Sequence, residues 1–337
     1  MKKIVLGLVV VLLIAAAAVA GYIYNVVTTL AHESVTDDLH MISLPRGPGG
    51  NVAVLRTDEG TVIVDTMTFG AQGSAVRELA EELTGQPVVL VINTHYHIDH
   101  THGNPSFDPA TKIVATERTR ELLLEHDGEF WQGNAEQFLP DETFEHEHTI
   151  ELGGKTIQLL GVGPAHTSGD LVALFVEDRT ICTGDLIFNG LYPNIDLEAG
   201  GSVKRWSAAL DQVLQLDFDR AIPGHGPVTD RNGVRRFQGF ITELARAGEF
   251  AAVRRLSLEE TLAQTKLTKN EGMVDFLPVP GMYEFTRDFV VQRAWEEAVA
   301  VRKAEAEAER RSAEEADEAE KSAEAGTATN DTEPTEQ

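Results

Sequence analysis

The chain has 337 residues, 42 % of them hydrophobic, which suffices for one globular domain of roughly 200–250 residues with additions at its ends. A formal net charge of −26 excludes nucleic acid as a partner on grounds of charge and opposes binding to an anionic membrane surface. The sole cysteine, Cys182, excludes an intrachain disulfide.

In chain order, Lys2 and Lys3 precede an uncharged run of 21 residues from Ile4 to Tyr24. About 20 apolar residues span a bilayer. Positive charge on the N-terminal side, with Glu33, Asp37 and Asp38 beyond, predicts a single-pass N-terminal transmembrane helix over 1–24. The folded part then lies outside a bacterial-type cell membrane. Cleavage near Ala18-Val19-Ala20 is the alternative, leaving a secreted or periplasmic protein. Residues 25–38 read as a polar stalk.

A strand-rich region follows. LHMISL (39–44) and NVAVLR (51–56) read as strands parted by the turn-rich PRGPGG, and TVIVD ends at Asp65. Residues 71–84 read as an amphipathic helix stopped by Gly85 and Pro87. PVVLVI (87–92) reads as a strand, as does KIVAT (112–116), which precedes a helix. Residues 127–143, with Phe130, Trp131 and Phe138, read as a pocket-side insertion or as core. Two hairpins are predicted, TIEL-GG-KTIQLLG and LVALFVED-RTICTGD, the first turning at Gly153-Gly154. Residues 202–216 read as a helix and DRAIPGHG as a strand that stops at His225. Helices are expected near 230–247, 248–264 and 284–311, and the irregular segment 267–283 is expected to cover a groove. From Glu296 onward there are 14 acidic against five basic residues, predicting a solvated helix and then an acidic disordered tail over 312–337.

Chemistry concentrates in NTHYHIDHTHGN (93–104), which holds four of the chain's 11 histidines. Imidazole and carboxylate together suit a borderline metal such as zinc. His95 and His97 are two apart, so extended backbone points them the same way, towards one ion. Asp99 and His100 lie past the turn and can serve a second ion. His102 reads as a loop residue or an accessory ligand. His166 (GPAHTSGD), Asp185 (TGDLIF) and His225 (IPGHG) each end a predicted strand, where a rigid sheet positions catalytic groups. His146 and His148, in EHEH, read as an exposed strand face.

The pattern His-x-His-x-Asp-His, followed in order by those three residues, resembles the metallo-β-lactamase superfamily across about Leu39 to Asp230. The resemblance implies an α/β fold, a four-layer αβ/βα sandwich with the metal site at the sheet edge. It implies that His95, His97 and His166 hold a first metal, that Asp99, His100 and His225 hold a second, and that Asp185 bridges them. Asp65 matches an acidic residue that the family places after an early strand, with a supporting role. An Asp at 185, where β-lactamase subclasses carry cysteine or serine, looks more like the glyoxalase II, lactonase and general hydrolase branches. The domain plan is therefore a catalytic domain over 39–230 and a helical extension over 231–311.

The expected chemistry is hydrolysis with two Zn2+ ions, or Fe or Mn in their place, sharing a hydroxide that attacks the carbonyl of an ester, thioester, lactone or amide. Asp99 orients the attacking group and relays its proton, with His100 beside it. Tyr192 is a candidate to hydrogen-bond the oxyanion. The partner is a small-molecule substrate, with the membrane reached only through the N-terminal helix. The competing expectations are a β-lactamase-type amide hydrolase, a persulfide dioxygenase with one iron on the same fold, and an anchored, non-catalytic interaction protein using the acidic tail.

Overall fold

A computed structural model describes residues 24–45, 47–279, 281 and 283–328, with isolated positions between 15 and 22. The apolar segment expected to cross a membrane lies for the most part outside the described residues. Among the described residues, no helix is long and apolar enough to do so.

Seven strands form the first sheet in chain order: β1 (Ala31–Ser34), β2 (Leu39–Ser43), β3 (Val52–Thr57), β4 (Gly60–Val64), β5 (Val88–Ile92), β6 (Lys112–Thr116) and β7 (Glu142–Phe144). Neighbours are antiparallel as far as β4 and parallel from β4 to β7. The expected stalk is thus partly sheet, because Ala31–Ser34 pairs with β2 as its edge strand.

The second sheet has the order β13-β12-β11-β10-β9-β8. Its strands are β8 (Glu147–Leu152), β9 (Lys155–Gly161), β10 (Leu171–Phe175), β11 (Thr180–Cys182), β12 (Arg220–Ile222) and β13 (Thr229–Asp230). Both predicted hairpins, β8–β9 and β10–β11, are present and antiparallel.

Alternation along the strands decides which layer each side chain enters. In β3, Ala53 and Leu55 face the second sheet, while Val52 and Val54 face outward. In β10, Leu171, Ala173 and Phe175 meet the first sheet, and Val172 and Leu174 meet helices. Strands apolar on both faces can only be buried between covering layers, which is why β4 and β10 carry no polar face.

Helices α1 (Gly70–Thr84) and α3 (Glu117–Asp127) cover the first sheet, packing Val76, Ala80 and Leu123 on its outer core. The second sheet is covered by α4 (Val203–Val213), α5 (Arg231–Arg254) and α7 (Arg287–Ala328). The sequence placed a break near 247, but α5 runs on to Arg254, since its apolar stripe continues through Gly248, Ala251 and Ala252. The capping box of Ser257 and Glu260 then starts α6 (Leu258–Gln264). The long α7 is helical to Ala328, well past the residue at which a disordered tail was expected; Val290, Val291 and Ala294 pack its first turns into the core, and strong helix formers carry the rest. A small hairpin, β14 (Phe276–Val279) with β15 (Tyr283–Phe285), precedes α7.

Candidate metal centre

Strand ends at one edge of the two sheets deliver the candidate residues. Asp65 follows β4 with φ at 67°, its N–H donating to the Ile92 carbonyl at 2.8 Å. After β5 the chain turns through His95 and His97 into the one-turn helix α2 (Ile98–Thr101). Asn93 pins this turn by donating to the His100 carbonyl and to Asn104. His166 lies in the β9–β10 loop, Asp185 in a 3-10 turn after β11, and His225 after β12. The buried Trp206 of α4 anchors the Asp185 turn, its indole N–H donating to the Leu186 carbonyl at 3.1 Å.

All seven predicted residues converge. His95, His97, His166 and Asp185 form one group, and Asp99, His100 and His225 another, each with donor atoms within 4.8 Å of one another. Asp185 belongs to both, since its Oδ2 lies 3.8 Å from His95 Nε2 and 3.5 Å from His166 Nε2. Its Oδ1 lies 3.2 Å from His100 Nε2 and 3.3 Å from His225 Nε2. Asp99 completes the second group, 3.2 Å from His225 Nε2.

The remaining hydrogen bonds fix which ring nitrogens are bare. His97 Nε2 donates to Asp196 Oδ2 at 2.9 Å, so in the neutral ring Nδ1 is the bare nitrogen. His166 Nδ1 donates to the Asn194 carbonyl at 3.1 Å, leaving Nε2 bare. Thr94 Oγ1 donates to Asp65, so it accepts from His95 Nδ1 and leaves Nε2 bare. His100 Nδ1 donates to Asp65 Oδ2 at 2.7 Å. Bare lone pairs therefore face each other, His166 Nε2 to His97 Nδ1 at 2.9 Å and His95 Nε2 to His97 Nδ1 at 3.1 Å. Such an arrangement repels itself unless a cation sits among the lone pairs. His100 Nε2 and Asp185 Oδ1 are also buried without a hydrogen-bond partner. Tetrahedral zinc with bonds of about 2.1 Å needs ligand atoms roughly 3.4 Å apart, so this donor set fits metal ions.

The electrostatics agree. Burial and His100 hold His95 well below the ordinary imidazole range, and burial with His97 brings His166 down to about 4, so both are neutral. Burial would raise the Asp185 carboxyl, but His225 and His100 outweigh it and draw the carboxyl well down. Asp99 falls to about 2, with His100 and His225 overcoming burial. Burial lowers His100 and His225, yet Asp185 and Asp99 raise them, His225 to about 9. In the bare protein these two rings carry protons where a cation would serve.

Close packing leaves no slack. A Cβ on Gly50 would lie 2.4 Å from the His100 ring, and one on Gly224 would lie 2.0 Å from Asp185 Oδ1.

Asp65 supports the site as expected. Asp196 was missed; it follows a loop with no motif spacing, yet it holds His97 and accepts the Tyr96 hydroxyl at 2.5 Å. His102 is not a ligand of either group, for it pairs with Asp127 at 2.5 Å and stacks on Phe130. His146 is exposed in the bend between β7 and β8 rather than on a strand, and His148, on β8, pairs with Glu142. Tyr192 does not reach the centre: its ring packs beside Phe240 in the core and its hydroxyl accepts from Asn270. Trp131 and Phe138 are likewise core residues under α1 and α3 rather than a pocket wall.

A cleft of about 890 Å³ opens over the centre. His97, Asp99, Asp185 and His225 form its floor, and the β14–β15 hairpin forms one wall, as expected of a groove cover.

The family model described as "Metallo-beta-lactamase superfamily" matches residues 45–225, more than half of the chain. The alpha subunit of 2,4-dinitroanisole O-demethylase from Nocardioides sp. (strain JS1661) is 30 % identical over 172 residues, covering 50 % of this chain and 50 % of that protein. The chain thus matches about half the length of that relative. Hydroxyacylglutathione hydrolase GloC from Haemophilus influenzae is 28 % identical over 200 residues, covering 57 % of this chain and 92 % of that protein. Among solved structures, a metallo-beta-lactamase from Pontibacter korlensis superposes with a TM-score of 0.55 at 20 % identity, covering 64 % of this chain and 99 % of that one.

Proposed function

The chain belongs to the metallo-β-lactamase superfamily, and from that premise we propose that it is a metal-dependent hydrolase that holds two zinc ions and acts on an ester, thioester, lactone or amide. The observation that carries this reading is the division of Asp185, one carboxylate oxygen facing each cluster. Bound there, the two ions would supply a Lewis acid and a water of lowered pKa. The chain's own residues do the rest. Asp185 sets the spacing of the two clusters. Asp65 and Asp196 hold His100 and His97 in the tautomers that present bare nitrogens. Of the two donor carboxylates on the floor of the cleft, Asp99 is the more open, its side chain 21 % exposed against 4 % for Asp185. Asp99 therefore takes the proton of the attacking water and passes it to the leaving group. The apolar segment from Ile4 to Tyr24, preceded by Lys2 and Lys3, supports an extracytoplasmic place of action.

Elemental analysis of the purified protein, paired with chromogenic ester, thioester, lactone, β-lactam and activated aryl ether substrates, tests the proposal. Two zinc per chain and metal-dependent hydrolysis are expected. One iron per chain with oxygen consumption would instead favour redox chemistry on the same fold. Stoichiometric zinc with no turnover on any substrate would refute the catalytic reading.

A further inference from the structure

The cleft over the centre has an aromatic wall that begins at a candidate ligand and runs outward. Phe276 lies 4.5 Å from the His225 ring and 6.0 Å from Phe188, which itself stacks on His225 at 5.0 Å. Phe285 continues the row 5.8 Å from Phe276, and Phe289 follows 5.2 Å further on. Phe276, Phe285 and Phe289 come from the β14–β15 hairpin and the first turn of α7, beyond the region that the family model matches.

Three other lining residues are large, apolar and solvent-exposed: Phe69 at 45 %, Ile98 at 41 % and Tyr283 at 50 %. Apolar surface gathered around a cleft, rather than scattered, marks what the cleft binds. The charges point the same way. Asp127, Asp196, Glu198 and Glu284 line the cleft, and histidines aside Arg293 is the sole cation among its described lining residues. That guanidinium is committed, pairing with Glu198 and Glu296 and donating from Nε to the Ile195 carbonyl at 2.9 Å. A substrate carboxylate held away from the metal centre would meet acidic walls and no free donor cation, and recognition of a carboxylate needs one.

We propose that this site takes uncharged esters or lactones bearing an aryl or extended alkyl group, which lies along Phe276 and Phe285, with the buried Phe188 backing them, and that it rejects substrates with a second, anionic group. This rests on the hydrolase reading above and names its substrate class. The row of rings selects, while the centre reacts.

The test has two arms, both using the full chain with its metals. In the first, kcat/KM is measured for p-nitrophenyl acetate, butyrate, hexanoate and phenylacetate, and for the p-nitrophenyl monoester of glutaric acid. Burying a methylene is worth about fourfold at most, so a rise of roughly two- to fourfold per methylene is expected, with the glutarate ester at least about tenfold below butyrate. In the second, binding of a neutral, non-hydrolysable naphthyl ketone is followed by its fluorescence. Saturable binding is expected, weakened about fivefold or more in Phe285→Ala and in Tyr283→Ala, the latter being too exposed to endanger folding. A flat chain-length series, or a glutarate ester that matches butyrate, overturns the proposal while leaving the hydrolase reading standing. Absence of ketone binding overturns it as well. Ketone binding that responds to both variants, in a protein that cleaves no ester, supports the wall and refutes the proposed reaction instead.

Discussion

Replacing Asp65 with Asn isolates the role of orientation from that of ligation. Asp65 is fully buried and accepts three hydrogen bonds, from the Thr94 N–H at 2.8 Å, the Thr94 hydroxyl at 2.7 Å and His100 Nδ1–H at 2.7 Å. Its φ of 67° lies in the left-handed region, where Asn is tolerated and Ala is strained, so the variant keeps the backbone. An amide has one acceptor oxygen and two N–H groups, so at least one of the three donors then faces another donor. Leaving a buried donor unmatched costs about 1–3 kcal/mol of stability. His100 escapes the conflict by moving its proton from Nδ1 to Nε2, which is the nitrogen that faces Asp185 and Asp99. Loss of such an orienting partner typically weakens metal affinity about 10–100-fold, equivalent to about 1.4–2.7 kcal/mol. The loss should fall on the Asp99–His100–His225 cluster alone. Zinc titration against a chelator of known affinity should show one site unchanged and the other weakened, with a lower thermal midpoint. Two sites of unaltered affinity in Asp65→Asn would refute the argument that this carboxylate sets the His100 tautomer.

Three further outcomes follow from the geometry. Asp99→Ala should remain folded, lose metal from the second cluster and fall about 10²–10⁴-fold in kcat, as expected for a lost proton relay; paired elemental analysis and kinetics check it. Gly224→Ala puts a Cβ where Asp185 Oδ1 stands, so metal content and activity should both collapse. Gly239→Ala, with open space in α5, should be silent or stabilising by up to about 1 kcal/mol in denaturant unfolding. Burial raises the Asp170 carboxyl to about 7, against the hydrogen bonds from Thr167 that lower it. The folded state therefore binds this proton more tightly than the unfolded chain, and the stability it contributes is lost as pH rises from about 4 through 7. The stability difference between wild type and Asp170→Asn, followed by urea titration across that range, should move against the wild type as pH rises.

The candidate ligand set was legible because a metal centre demands particular residue types at strand ends, and few alternatives place four histidines of 11 in one short loop. The sandwich was legible for a related reason: β4 and β10 are apolar on both faces, which only covered sheets permit. Other parts depend on packing that local pattern does not encode. Ala31–Ser34 is exposed and polar, and its strand character comes from the free edge of β2 rather than from its own residues. Tyr192 lies only seven residues from Asp185, but the chain turns away through Gly190 and buries the ring against α5. Asp196 carries no motif because one carboxylate serving His97 and Tyr96 depends on a fold contact across about 100 positions of sequence.

The same division explains how one frame can hold a fixed reaction and a changeable preference. The seven donors stand on turns pinned at both ends: by Asn93 and Asn104 on one side, and by Asn51, which donates to the Pro223 and Gly226 carbonyls around His225, on the other. A side chain there cannot be altered without disturbing a neighbour within hydrogen-bond reach. The β14–β15 hairpin is different. Its contacts to the centre are ring against ring, non-directional and tolerant of a change in size. Selection placed on that hairpin can vary without moving a single ligand, whereas selection placed on the floor of the cleft would compete with the geometry that the reaction requires.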